Sequence, residues 1–218
     1  MLDAATLSRV DQVALAVRER VAGGAYVPGQ RIVEAAVAAE FGASRGVVRE
    51  AFRRLAAEGV LDLEPHRGAV VRRLARADVQ AIAPIREVLE GLAARLAAGA
   101  SGAAAPLRTS LAAQHAAEAS DDPVGAFARE NLAFHGLILD LADNPRLAES
   151  LRPLSTPLSR MTYARLLSRA ARDRARAEHV RVVEALIAGD GAAAEATMRA
   201  HVRSASEELL RLPHPLLA

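Results

Sequence analysis

The sequence predicts a mainly α protein in two parts: an N-terminal winged helix-turn-helix domain over residues 1–75 and a C-terminal antiparallel all-α bundle over residues 76–218. Three observations predict it. Before residue 75, two short helical patterns meet at a glycine turn and two short apolar runs follow, with a turn between them. Beyond it, apolar residues recur at helical spacing in near-continuous succession, broken only at Gly and Pro. The composition is 51% hydrophobic but only 3% aromatic, so Ala, Leu and Val must fill the cores, and Ala and Leu are strong helix formers.

The first helix is expected over 7–22, with Val10, Val13, Ala14, Val17 and Val21 on one face and Gly23-Gly24 ending it. Tyr26-Val27-Pro28-Gly29 is turn chemistry. A short helix over 34–40 stops at Gly42. Ser44 then caps a helix reaching Glu58, whose apolar positions are Val47, Val48, Ala51, Phe52 and Leu55. Residues 60–63 and 69–71 read as two strands, joined by the turn Pro65-His66-Arg67-Gly68. The bundle begins with a helix over 78–98 carrying Ile82, Ile85, Leu89, Leu92 and Leu96 at coiled-coil-like spacing. Pro84 is expected to bend or delay its first turn. Residues 99–106 form a break. Helices follow over 107–119, 121–142, 145–168 (interrupted near Pro153 and Pro157), 173–188 and 190–212. Short links between such helices make them antiparallel neighbours.

The absence of cysteine excludes disulfides and thiolate metal sites, so a metal must be held by His, carboxylate, amide or water. Neither a secretory signal nor a transmembrane segment is expected, which predicts a cytoplasmic protein without membrane partners. The net charge of +2 is too small to name a partner. Its distribution says more: residues 41–76 hold eight Arg against four acids, whereas residues 77–218 hold 16 Arg against 17 acids. Such a local excess is either a nucleic-acid footprint or a solvated face.

The order of the first half supplies the chemistry for the first of these. Gly42 permits the tight turn that sets one helix across the other. The second helix then presents Arg45 and Arg49, at i and i+4, near its N-terminal end, where a recognition helix meets base edges. Arg bonds guanine O6 and N7 bidentately. The turn His66-Arg67-Gly68 is short and basic enough to reach a neighbouring groove or the backbone. The competing readings are surface salt bridges for the two arginines and an ordinary turn for His66. Tyr26-Val-Pro-Gly-Gln-Arg-Ile-Val-Glu, the run from Phe41 to Leu61 and His66-Arg-Gly-Ala-Val-Val closely resemble the GntR family of bacterial regulators. The resemblance implies a sequence-specific DNA-binding transcriptional regulator acting as a homodimer on double-stranded operator DNA, with Ser44, Arg45, Arg49, His66 and Gly68 as DNA contacts. Ala35 stands where that family often has Arg, and Gly46-Val47 where Thr-Pro or Thr-Thr is usual.

Three histidines fall on apolar stripes of three different helices: His135, His179 and His201. Each should point into the bundle. Asn131 precedes His135 by four residues and shares its face. A single inward His is ordinarily a hydrogen-bonded core residue. Burying three in an apolar bundle is costly without a shared partner. A divalent ion would serve, and imidazole donors suit zinc or nickel. The segments around Arg86, Asn131, Asp143, Glu178, Gly189 and Met198 look like the FCD ligand-binding domain of the FadR-type GntR subfamily. That resemblance implies Asn131, His135, His179 and His201 as metal ligands, the first being commonly Asp there. Arg86 is the candidate clamp for a small carboxylate effector, or else an i,i+4 salt bridge to Glu90 on the surface.

The expected function is therefore a regulator, a repressor of a catabolic or transport operon, modulated by an organic acid in a metal-containing pocket. One alternative is a helical domain that only dimerises, without metal. Another is a metal-dependent hydrolase, for which Glu130 and Glu178 are poorly placed as bases, since residues adjacent to the ligands point about 100° away on a helix.

Overall fold

The computed structural model of the chain describes residues 7–64, 68–73, 75–151, 154 and 166–212. It divides into two compact units, Met1–Leu74 and Ala75–Ala218.

In the first unit, α1 (Arg9–Ala22) starts at Ser8, whose hydroxyl accepts the Asp11 amide. Val27 and Gln30 close the next turn with a 2.9 Å backbone bond, Gly29 lying at φ 82°. Strand β1 (Arg31–Ile32) leads into α2 (Glu34–Glu40). Gly42, at φ 56°, turns the chain toward α3 (Arg45–Ala57), capped by the Ser44 hydroxyl on the Val47 amide. Val48, Ala51, Phe52 and Leu55 of α3 are buried, as are Val13, Ala14, Val17 and Val21 of α1, against which α3 packs. Strands β2 (Leu61–Glu64) and β3 (Gly68–Val71) follow.

The sheet has three strands in the order β1-β3-β2, all antiparallel, with Ile32 opposite Ala69 and Leu61 opposite Val71. The hairpin is as expected, but β1 is an addition. Two residues carry no alternation to detect, and only pairing with β3 makes them a strand. Gly68 (φ 87°) is required there: a Cβ would sit 2.8 Å from the Ile32 carbonyl oxygen. The expected turn residues His66 and Arg67 lie outside the described residues.

The second unit comprises α4 (Arg76–Ala97), α5 (Ala104–Ala116) with a 3₁₀ turn (Ala117–Ala119), α6 (Pro123–Leu141), α7 (Pro145–Leu151), α8 (Arg169–Ala188) and α9 (Gly191–Leu210). Three boundaries differ from the sequence expectation. Because α4 starts at Arg76, Pro84 lies well inside it and the helix runs through. Gln80 and Pro84 are both exposed, so water can reach the carbonyl that proline leaves without an amide donor. Pro106 lies in the first turn of α5 instead of the preceding break, where its missing N–H would have had no helical partner. Helix α8 begins four residues early, since Ser168 caps it on the Ala171 amide. Of the helix expected over 145–168, α7 covers the start, while 152–153 and 155–165 lie outside the described residues.

Of the coiled-coil-like stripe of α4, Leu89 packs against the core, but most of the stripe does not fill it. Helix α4 packs along α9, with Gly91 against Arg199 and Glu195, and buries Ala93, Ala94 and Ala97 in the core. A Cβ at Gly91 would lie 2.5 Å from Arg199 Cγ. Ile85, Val88, Leu92 and Leu96 face outward, at 49, 50, 37 and 43% exposure. The core is built around Leu107, Phe134, Ile138, Val182, Leu186 and Met198. No described helix is long and apolar enough to cross a membrane.

Leu55 has no exposure at all. Leu55→Ala should destabilise the first unit by about 2–5 kcal/mol through lost burial and the cavity left behind, measured by chemical denaturation.

Candidate metal centre and DNA-binding surface

On the first unit, α3 buries one face and exposes the other. Ser44, Arg45 and Arg49 are exposed. Arg45 and Arg49 border an open groove whose walls also include Arg31, Arg53, Glu34, Ala35 and Gly68. Arg53 pairs with Glu50 at 3.1 Å, and Arg54 pairs with Asp11 of α1. Arg49 is held by Glu34 of α2, its Nε lying 2.9 Å from Oε2. The structure therefore brings Arg45, Arg49 and Gly68 to one concave surface, and Ser44 caps the helix that carries the two arginines.

In the second unit, α6, α8 and α9 place His135, His179 and His201 in the interior, at 8, 0 and 3% exposure. One nitrogen from each ring lies within 4.8 Å of the others. The Nε2 atoms converge: His179 to His201 is 3.2 Å and His201 to His135 is 3.3 Å. The opposite nitrogens all have outer partners. His135 Nδ1 lies 2.6 Å from Glu90 Oε2, His179 Nδ1 lies 2.6 Å from Gln114 Oε1, and His201 Nδ1 lies 2.8 Å from Glu178 Oε2. Carboxylate and amide oxygens accept, so Nδ1 of His179 and of His201 carries the proton and donates it. His135 Nδ1 meets Glu90 as a close ion-pair contact outside hydrogen-bond geometry, an acidic neighbour that favours its proton on the same side. Each Nε2 then presents a lone pair to the same point. Three facing lone pairs repel unless a cation sits among them, and neutral imidazoles with outer carboxylates are the donor arrangement of a divalent metal site. The residues fit such an ion. Phe134, fully buried, stacks on the His179 ring at 4.0 Å between centroids and holds its plane.

Asn131, also buried, borders the same interior with Arg86, His135 and His201, around a cavity of about 20 Å³. That volume suits one ion or water. Arg86 does pair with Glu90, Nε and Nη2 lying 3.0 and 2.8 Å from Oε1. The pair is not on the surface: Glu90 is buried at 4% exposure and Arg86 is part-buried. One carboxylate thus bridges Arg86 and His135. Desolvation opposes ionisation of Glu178, but the hydrogen bonds from His201 and Ser204, with the charge of Arg181, favour its carboxylate and its carboxyl lies below the ordinary range.

The sequence pattern of the bacterial regulatory proteins of the gntR family matches residues 9–71, and that of the FCD domain matches residues 81–204. A protein of Paenarthrobacter nicotinovorans named "Probable D-xylose utilization operon transcriptional repressor" is 37% identical over 184 residues, covering 84% of this chain and 80% of that one. The chain belongs to the GntR family. It has the FCD arrangement that fits the FadR-like subfamily, and this family consists of DNA-binding transcriptional regulators, not enzymes. The galactonate operon transcriptional repressor of Escherichia coli is 25% identical, covering 94% of this chain and 98% of its own. In fold, a GntR regulator from Rhodococcus sp. RHA1 superposes with a TM-score of 0.81 at 23% identity, covering 95% of this chain and 100% of that one.

In this GntR-family chain, the outer partners are what the sequence reading missed. Helical geometry turns Glu178 away from its neighbour His179. Facing away, it reaches His201 on the next helix. Spacing offers Glu90 only as an i,i+4 partner of Arg86, and nothing in the sequence marks Gln114, which the structure buries on α5.

His179→Ala should lower bound metal and the thermal midpoint together, read by elemental analysis and calorimetry. Glu178→Gln should weaken metal binding about 10–100-fold without unfolding the bundle, read by chelator competition.

Proposed function

We propose that this GntR-family regulator is a cytoplasmic homodimeric repressor of a catabolic or transport operon, whose hold on DNA is adjusted by a small organic acid bound beside a divalent metal. The observation that carries the metal and effector part is the convergence of three Nε2 lone pairs, each ring anchored from behind. His135, His179 and His201 would hold the ion, with Asn131 as the oxygen donor, and zinc or nickel suits imidazole. The ion would supply a positive charge able to bind a carboxylate. Arg86 would bind the acid from the side. The cavity of about 20 Å³ admits an ion as it stands, so an organic acid enters only if side chains around it move. The names of the D-xylose and galactonate repressors support a sugar or sugar-acid setting.

On the DNA side, Arg45 and Arg49 would read base edges, with Ser44, His66, Arg67 and Gly68 contacting the duplex around them. A two-fold dimer places two such helices one helical turn apart on a palindromic site. The outward stripe Ile85, Val88, Leu92 and Leu96 at heptad-like spacing supports α4 as its seam.

Arg49→Ala should weaken gel-shift binding to a duplex selected by the protein from a random library by about 10–100-fold while leaving its oligomeric state unchanged. Unaltered binding would remove Arg49 from the reading surface. Leu92→Glu should convert the dimer to monomer in light scattering, and an unchanged mass would remove α4 from the interface.

A further inference from the structure

An acidic side chain in a groove meant for DNA needs a reason, because a carboxylate there repels phosphates. Glu34 is such a residue: it borders the groove of Arg45 and Arg49 and is only partly exposed. It opens α2, so its backbone is set by that helix start and not by α3. Both its oxygens lie on Arg49 Nε, at 2.9 and 3.2 Å. That contact uses the Nε edge of the guanidinium, and among the described residues neither terminal nitrogen has an ion-pair partner, on a side chain 61% exposed. A free arginine samples many rotamers and loses that freedom on binding.

We infer that Glu34 is a specificity-determining positioning residue, which aims Arg49 so that its terminal nitrogens form a ready fork for a guanine edge. The inference rests on the reading of Arg49 as a base contact. Glu34 touches no DNA in this role. It exchanges some general attraction for the duplex against a fixed geometry at one base pair. Nothing in the sequence pointed to it, because residues 34 and 49 meet only when α2 crosses α3.

The test compares two duplexes, one selected from a random library by the full-length wild-type chain and one of unrelated sequence. Glu34→Gln keeps the size and removes the charge. Glu34→Asp keeps the charge and the acidic helix start but is too short to reach Nε. Both should lose about tenfold on the selected duplex, within the range of one bidentate base contact. Neither should weaken binding to the unrelated duplex, so the specificity ratio falls about tenfold. In an Arg49→Ala background neither change should cost anything further. Circular dichroism checks that α2 remains folded. Glu34 is no positioning residue if Glu34→Gln tightens both duplexes equally, or if the loss on the selected duplex persists undiminished in the Arg49→Ala background. An Arg49→Ala variant that binds like wild type would instead overturn the base-contact reading itself.

Discussion

The bundle depends on three imidazole nitrogens brought to one point inside an apolar core. His135, His179 and His201 come from α6, α8 and α9, and their Nε2 atoms stand 3.2–3.3 Å apart along the chain of contacts. Such an arrangement is unfavourable by itself, since each ring gives up water and the lone pairs face one another. It persists because each ring is tied from behind, by Glu90 of α4, Gln114 of α5 and Glu178 of α8. Five helices therefore meet in one polar network, and the register of each against the others is set by these contacts as well as by the surrounding aliphatic packing.

Glu90 has a special place in that network. Its two oxygens are divided between a guanidinium and an imidazole, with Oε1 on Arg86 and Oε2 on His135. At 4% exposure it has little water to fall back on, so its charge is balanced almost wholly by these neighbours. Whatever alters Arg86 is felt at His135 through a single carboxylate. Next to Glu90 in the chain, Gly91 lets α4 lie close against Arg199 of α9.

The reader unit uses a different economy of the same kind. Helix α3 fixes itself through Val48, Ala51, Phe52 and Leu55 and so frees its other face. The glycine turn at Gly42 and the cap at Ser44 set where that face begins. The two-residue β1 then ties the wing hairpin to the chain entering α2, and Gly68 alone can pass beneath the Ile32 carbonyl.

Much of this was legible in the sequence. Periodicity and caps located α2 and α3 closely, and inward stripes identified the three histidines, because burial of one helix face is a local property of spacing. The outer partners were not legible. Whether Glu178 meets His201, or Glu34 meets Arg49, depends on which helices cross and at what rotation, and no spacing within one helix encodes that. The stripe of α4 shows the same limit: Ile85, Leu92 and Leu96 have core-like spacing yet lie outward, since packing in the bundle buried the small-residue face instead. The sequence by itself determined the helices, the turn glycines and the ring donors, all local matters of dihedral preference and side-chain period. Only the tertiary structure decided which charges oppose which rings, because those distances are set by packing between elements far apart along the chain.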